Sequence, residues 1–350
     1  MHPLLGRVLH LPCTPKKRRP MCNLFCKRFL QLFLSGLFGL LIACTPAPSE
    51  KLEVAARNVQ SAALSRDGGY TVVGSAYHGG SFWSLTDGER LFNWNHSRAN
   101  DTLIQASAIS PDGGWAVTVD ELSLVLWDTV SGRSAGYWRL PSEALSIAVG
   151  RYGNVALVGL SDGRALVYDL RRGGILLQLD HDDRVNSVAL SDDLAVMVTG
   201  SEDGRVSVWD ANTGKLRHQR QYDEPVQRVA LSADGARVLA AAKYDRIEVF
   251  TAADNHSLWQ LPFNRERVKR GLNISAARFS VDGRYLLTGR PDGFVQLWDI
   301  DGQAEVYTWQ LPERKMWQPS ASPVMALSFT PSPDQYRAVS GNGFVYTLSY

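Results

Sequence analysis

The stretch from Asp180 to Gly214, DHDDRVNSVALSDDLAVMVTGSEDGRVSVWDANTG, decides the fold, because it holds one whole unit that the chain repeats downstream of residue 50. Val185 to Leu190 is apolar-rich and ends at a turn, Ser191, Asp192 and Asp193. A second apolar run, Ala195 to Thr199, is closed by Ser201, Glu202, Asp203 and Gly204. Val206, Val208 and Trp209 mark a third strand, and Lys215 to Gln219 supply a fourth. Short apolar runs of alternating exposure, separated by Gly, Asp and Ser, read as strands joined by hairpin turns.

The equivalents of Asp193 are Asp67, Asp112, Tyr152, Asp234, Asp282 and Asp334, so seven copies follow one another at 45, 40, 41, 41, 48 and 52 residues. The aromatic residue of the third strand is an independent marker. It falls at Trp83, Trp127, Tyr168, Trp209, Phe250 and Trp298, with Leu348 in the last copy. Two markers that keep step across the chain define a repeat architecture. The turn Gly200-Ser201-Glu202-Asp203-Gly204 and the pair Trp209-Asp210 resemble the WD40 repeat. That resemblance implies an all-β, seven-bladed WD40-like β-propeller over residues 51–350, one four-stranded blade per copy. The last copy stops after its third strand, Phe344 to Tyr350, and the first is preceded by an alternating segment, Lys51 to Arg57. The ring is therefore expected to be closed by the N-terminal strand pairing with the C-terminal blade, which removes two open sheet edges.

The resemblance further implies a buried network joining a loop His, a second-strand Ser or Thr, a turn Asp and the third-strand Trp. His181, Thr199, Asp203 and Trp209 match it completely, whereas blade six keeps Thr288, Asp292 and Trp298 without the His. The other blades are expected to rely on apolar packing, with His78, His96, His218 and His256 on the surface.

Residues 1–43 have a different character: seven Lys or Arg, no Asp or Glu, and an apolar run from Phe29 to Ile42 behind Lys27 and Arg28. The run is short of the about 20 residues that span a bilayer and has the pattern of a secretory signal. Leu41-Ile42-Ala43-Cys44 resembles a bacterial lipobox, which implies that Cys44 is acylated and becomes the mature N-terminus. The alternative is an ordinary cysteine beside a signal cleavage site, and either Met1 or Met21 could be the start. All four cysteines, Cys13, Cys22, Cys26 and Cys44, lie at or before that point, so no thiol is left downstream for a disulfide or a metal. The division is thus 1–43 lipoprotein signal peptide, 44–50 acylated Cys and Pro-rich tether, and 51–350 propeller. The tether extends about 3.1 Å per residue in a polyproline-like form and would keep the ring close to the bilayer. Thr45 stands where a signal for retention in the inner membrane usually has Asp. The resemblance thus points to the periplasmic face of the outer membrane.

Without residues 1–43 the formal charge changes from +2 to −5, with 30 basic and 35 acidic residues. That balance argues against a nucleic-acid partner. Gly159-Leu160-Ser161-Asp162-Gly163 matches the nucleophile-elbow pattern, but it lies between two strands rather than before a helix. The histidines of the repeat region have no metal-ligand spacing, and no phosphate-cradling Gly-Lys-Ser/Thr motif occurs, so neither metal nor cofactor is expected. Trp138-Arg139-Leu140-Pro141, Trp259-Gln260-Leu261-Pro262 and Trp309-Gln310-Leu311-Pro312 recur at the ends of outer strands, where the Trp is expected to pack and the Pro to stop the ladder.

The loops into blades six and seven are the longest. One carries Arg265, Arg267, Lys269 and Arg270; the other carries Arg314, Lys315 and Trp317. As equivalent loops of neighbouring blades they should meet on one face, forming a basic patch with an aromatic on an acidic domain. The expected function is a non-enzymatic, lipid-anchored scaffold of the bacterial cell envelope. It would be monomeric, docking envelope proteins through that patch and held to the membrane by its N-terminal lipid. The alternative is a ligand-binding or hydrolytic propeller at the channel mouth, which would draw on the turn acids Asp120, Glu121, Asp162, Glu202, Asp203, Asp245 and Asp292.

Overall fold

Each copy of the repeat forms one antiparallel four-stranded sheet in the computed structural model, which describes residues 47–350 apart from 57, 77, 98–101, 264–273 and 315–321. In the stretch 180–221 the strands are Val185–Leu190, Val196–Ser201, Arg205–Asp210 and Leu216–Gln221. The turn between the second and third strands depends on Gly204, whose φ is +80°. A Cβ there would lie 2.8 Å from the carbonyl oxygen of Tyr222, so glycine alone meets both demands.

Blades one to six span 59–94, 106–139, 144–180, 185–221, 226–260 and 276–310. Blade seven takes three strands from the C-terminal end, Val324–Phe329, Gln335–Ser340 and Phe344–Ser349, and its fourth, Glu50–Glu53, from the other end of the chain. The result is a seven-bladed β-propeller. In every blade the third-strand marker residue, aromatic in six and Leu348 in the seventh, faces the same second-strand position: Thr71↔Trp83, Ala116↔Trp127, Ala156↔Tyr168, Met197↔Trp209, Val238↔Phe250, Leu286↔Trp298 and Tyr336↔Leu348.

Two details of the sequence alignment are corrected. Leu190 pairs with Met197 and Phe329 with Tyr336, so the counterpart of Asp193 in blade seven is Ser332, not Asp334. Asp334 instead takes a left-handed φ of 59° at the end of a Pro-rich turn. The closing strand is also shorter than Lys51 to Arg57. It pairs Glu50↔Thr347 through Glu53↔Phe344 and then leaves the sheet, with the amides of Val54 and Ala55 both donating to the Gly343 carbonyl at 2.9 and 3.1 Å. The chain must turn there to begin blade one, and Val54 and Ala55 are buried at that corner.

The core lies between blades rather than within one. Val117, Val119, Leu124 and Leu126 of blade two share a cluster with Ile147, Ala156 and Val158 of blade three. Val54, Val59 and Val73 meet Val339 and Val345 across the closure. Each such buried aliphatic contributes about 1.5–3 kcal/mol, so a blade is stable only with both neighbours in place.

Candidate functional site: the loop face

The inter-blade loops and the second-hairpin turns share one face of the ring. The amide of Leu311 donates to the Gly293 carbonyl at 2.9 Å, and that of His181 to the Gly163 carbonyl at 2.8 Å. The first and third hairpin turns lie on the opposite face, joined in blade one by the Leu85 amide and the Gly69 carbonyl at 2.8 Å. The two long loops leave the first face between blades five and six and between blades six and seven.

Arg265, Arg267, Lys269, Arg270, Lys315 and Trp317 lie outside the described residues, as does Cys44. Arg314 is described, and its guanidinium is engaged within the ring. It donates to the Glu53 carboxylate at 2.6 Å and to the carbonyls of Asn342 at 3.1 Å and Ala55 at 3.3 Å. It also stacks over Phe344, 5.0 Å from the ring centre. Arg314 therefore clamps the closing strand to blade seven instead of standing free in a docking patch, a role that sequence position could not reveal because Glu53 is 261 residues away.

The four-residue network is only part-built where the sequence matches it best. Trp209 Nε1 donates to Thr199 Oγ1 at 2.8 Å, but His181 Nδ1 stands 4.0 Å from Asp203 Oδ2, and its Nε2 has no hydrogen-bond partner. The Asp203 carboxylate is drawn off by the amides of Arg205 at 2.8 Å and Asp182 at 3.2 Å. His181 instead packs edge-on against Trp209, with ring centres 5.8 Å apart.

The complete network is in blade two, around His96, a residue the sequence reading left on the surface. His96 Nδ1 contacts Ser123 Oγ at 2.7 Å and Asp120 Oδ2 at 3.1 Å, while Nε2 meets Thr118 Oγ1 at 2.8 Å. Trp127 Nε1 donates to the same Thr118 oxygen at 2.8 Å. A carboxylate only accepts, which assigns the ring proton to Nδ1 and leaves Nε2 to accept from the Thr118 hydroxyl. Burial holds both His96 and His181 below the ordinary histidine value, against the pull of Asp120 and Asp203 in the other direction. The signal was present in Thr118, Asp120 and Trp127, but this turn lacks the glycine and is one residue shorter than that of blade four.

Most of the turn acids are engaged by groups of their own blade. Asp162 pairs with Arg164, Glu202 accepts from Asn186 at 2.7 Å, Asp245 contacts Arg246 at 3.4 Å and Asp292 pairs with Arg290. Ser161 shares its hydroxyl with Ser142 at 2.8 Å. Among the described residues no group of three or more His, Cys, Asp or Glu is placed to hold a metal.

The recurrent Trp residues belong to the frame. Trp309 is fully buried and donates to the Ser349 carbonyl at 2.9 Å, and Leu140, Leu261 and Leu311 beyond the three Trp are buried as well. Blade one has a counterpart outside the motif, Trp94, which donates to the Gly132 carbonyl at 3.1 Å and stacks on Trp127 at 5.2 Å.

The family model described as WD domain, G-beta repeat, matches residues 174–210 and 269–299, while no curated protein sequence matches the chain. The matched segments are the repeats that end at Trp209 and Trp298, the third-strand residues whose indole nitrogens bond Thr199 and Thr288 at 2.8 Å. The chain is accordingly a seven-bladed β-propeller that carries WD40 repeats.

Proposed function

We propose that this propeller is a non-enzymatic docking scaffold for proteins of the bacterial cell envelope, tethered through an acylated Cys44 at the periplasmic face of the outer membrane. The observation that carries the docking reading is the placement of the two longest inter-blade loops. They are anchored at Phe263 and Ile274 and at Arg314 and Ser322, on one face of neighbouring blades. Long loops on a rigid frame are where recognition concentrates. The loop 264–273 brings Arg265, Arg267, Lys269 and Arg270 to a repeat region of net charge −5, so the partner it suits presents an acidic surface. The lipobox resemblance of residues 41–44 supports the anchor.

The test is chemical cross-linking in intact cells, followed by purification from detergent-solubilised envelopes. Wild type is compared with a variant carrying Glu at positions 265, 267, 269 and 270. A near-stoichiometric partner present with wild type and lost with the variant is expected. Equal recovery from both rejects the patch, and absence of any specific partner from both rejects the docking reading. Labelling with a palmitate analogue tests the anchor separately: label lost in Cys44→Ser supports acylation, and an unlabelled wild type rejects it.

A further inference from the structure

Small residues line the central channel at one register position. Ala63, Ala108, Ala148, Ala189 and Ala230 face Val72, Val117, Leu157, Val198 and Leu239 of their second strands, and blade seven places Ser328 opposite Arg337. Blade six departs from this pattern with Arg278, opposite Leu287. The substitution adds a guanidinium to the channel lining, where five other blades keep a methyl group; Ser328 of blade seven is buried and donates to the Ser65 carbonyl at 2.8 Å instead.

The channel holds a partly open cavity of about 270 Å3, to which all seven inner strands contribute. Its charged lining residues are Arg66, Arg228, Arg278 and Asp192, three cations against one anion. Asp192 is already committed. Arg66 of blade one forms a two-pronged pair with it from blade four, across the axis at the face of the first-hairpin turns. Arg228 gives one nitrogen to the carbonyl of Ser275, while its Nε has no partner. Arg278 has neither a hydrogen bond nor an ion pair among the described residues. Burial and the charge of Arg66 push its pKa down to about 10, with Asp192 restoring only part of the loss.

A guanidinium carries five donors in a planar fork that matches a carboxylate or a phosphate. Leaving it unmatched in a partly buried site is costly, and an oxyanion would satisfy it. We infer that the central channel is a binding site for a small oxyanion of the phosphate or carboxylate class, held by Arg278 with Arg66 and Arg228 adding positive potential. The site is at the axis of the ring and is independent of the loop patch, so it stands or falls separately from the docking proposal.

Arg278→Ala is a suitable probe because it installs the residue that five other blades already carry, so the fold is expected to survive. The full-length protein in detergent is titrated with inorganic phosphate and, in a second series, with acetate, each by calorimetry at constant ionic strength. Saturable binding of at least one anion by wild type, weakened about tenfold or more in the variant, is the expected result. Thermal unfolding supplies a second readout. The anion that binds should raise the wild-type midpoint and leave that of the variant unmoved, and which anion acts identifies the oxyanion. No saturable binding of either anion by wild type, or equal binding by the variant, overturns the inference.

Discussion

His96 and His181 occupy corresponding positions between blades, yet only the His96 imidazole is tied to neighbouring side chains by hydrogen bonds. His96→Leu removes partners from Thr118, Ser123 and Asp120, and with groups left unpaired in a buried setting the loss is about 2–3 kcal/mol. His181→Leu replaces a ring that already acts as an apolar plate on Trp209, so its cost stays near or below about 1 kcal/mol. Urea unfolding of the two variants checks this order, which is the reverse of what motif completeness implies. Both imidazoles bind protons less readily folded than unfolded, where the value is 6.5. Stability is therefore full above about pH 6.5 and falls as the pH drops from there towards the depressed folded values. Urea midpoints at pH 7.5 and pH 5 should show that fall, and the double variant His96→Leu/His181→Leu should flatten it.

The strand Phe344–Ser349 is the element on which ring closure depends. It pairs on one side with Gln335–Ser340 and on the other with Glu50–Glu53, and it buries Val345, Tyr346 and Leu348. Three such side chains contribute together about 5–9 kcal/mol, comparable with the whole stability of an ordinary domain. A chain lacking residues 344–350 is therefore expected to show no cooperative unfolding transition by circular dichroism. Arg314→Gln is a milder probe of the same closure. Glu53 is half exposed, so the ion pair adds little, and the lost bonds to Asn342 and Ala55 set the cost at about 1 kcal/mol in a thermal melt.

On the scale of the whole molecule, the ring separates two charged features. The described ends of the basic loop, Phe263 and Ile274, lie on the face of the inter-blade loops, and the pair of Arg66 and Asp192 bridges the channel at the face of the first-hairpin turns. Docking through the loop should weaken as salt is raised, because exposed charges are screened beyond about 10 Å at 0.1 M. Pull-down of the partner without cross-linking, at 50 and 500 mM salt, measures this, and an unchanged yield speaks for an apolar contact instead. Oxyanion binding at the partly buried Arg278 should respond less to salt than the docking contact does.

The blade count, the strand order and the closure were legible in residues 51–350, because period-two alternation, turn glycines such as Gly204 and the recurring Trp all act over a few residues. The aromatic marker placed six of the seven third strands in register, and Leu348 takes its place in the last. What the chain could not disclose linearly was partnership over long separations. Glu53 meets Arg314 and Arg66 meets Asp192 by side-chain distances that only the closed ring creates, and His96 rather than His181 completes a network through the packing of two adjacent blades. Local pattern specifies a blade, since its strands are neighbours in sequence. Contacts across the axis and across the closure depend on how seven blades share one circle, and that packing assigns Arg314 to the frame and leaves Arg278 unmatched in the channel.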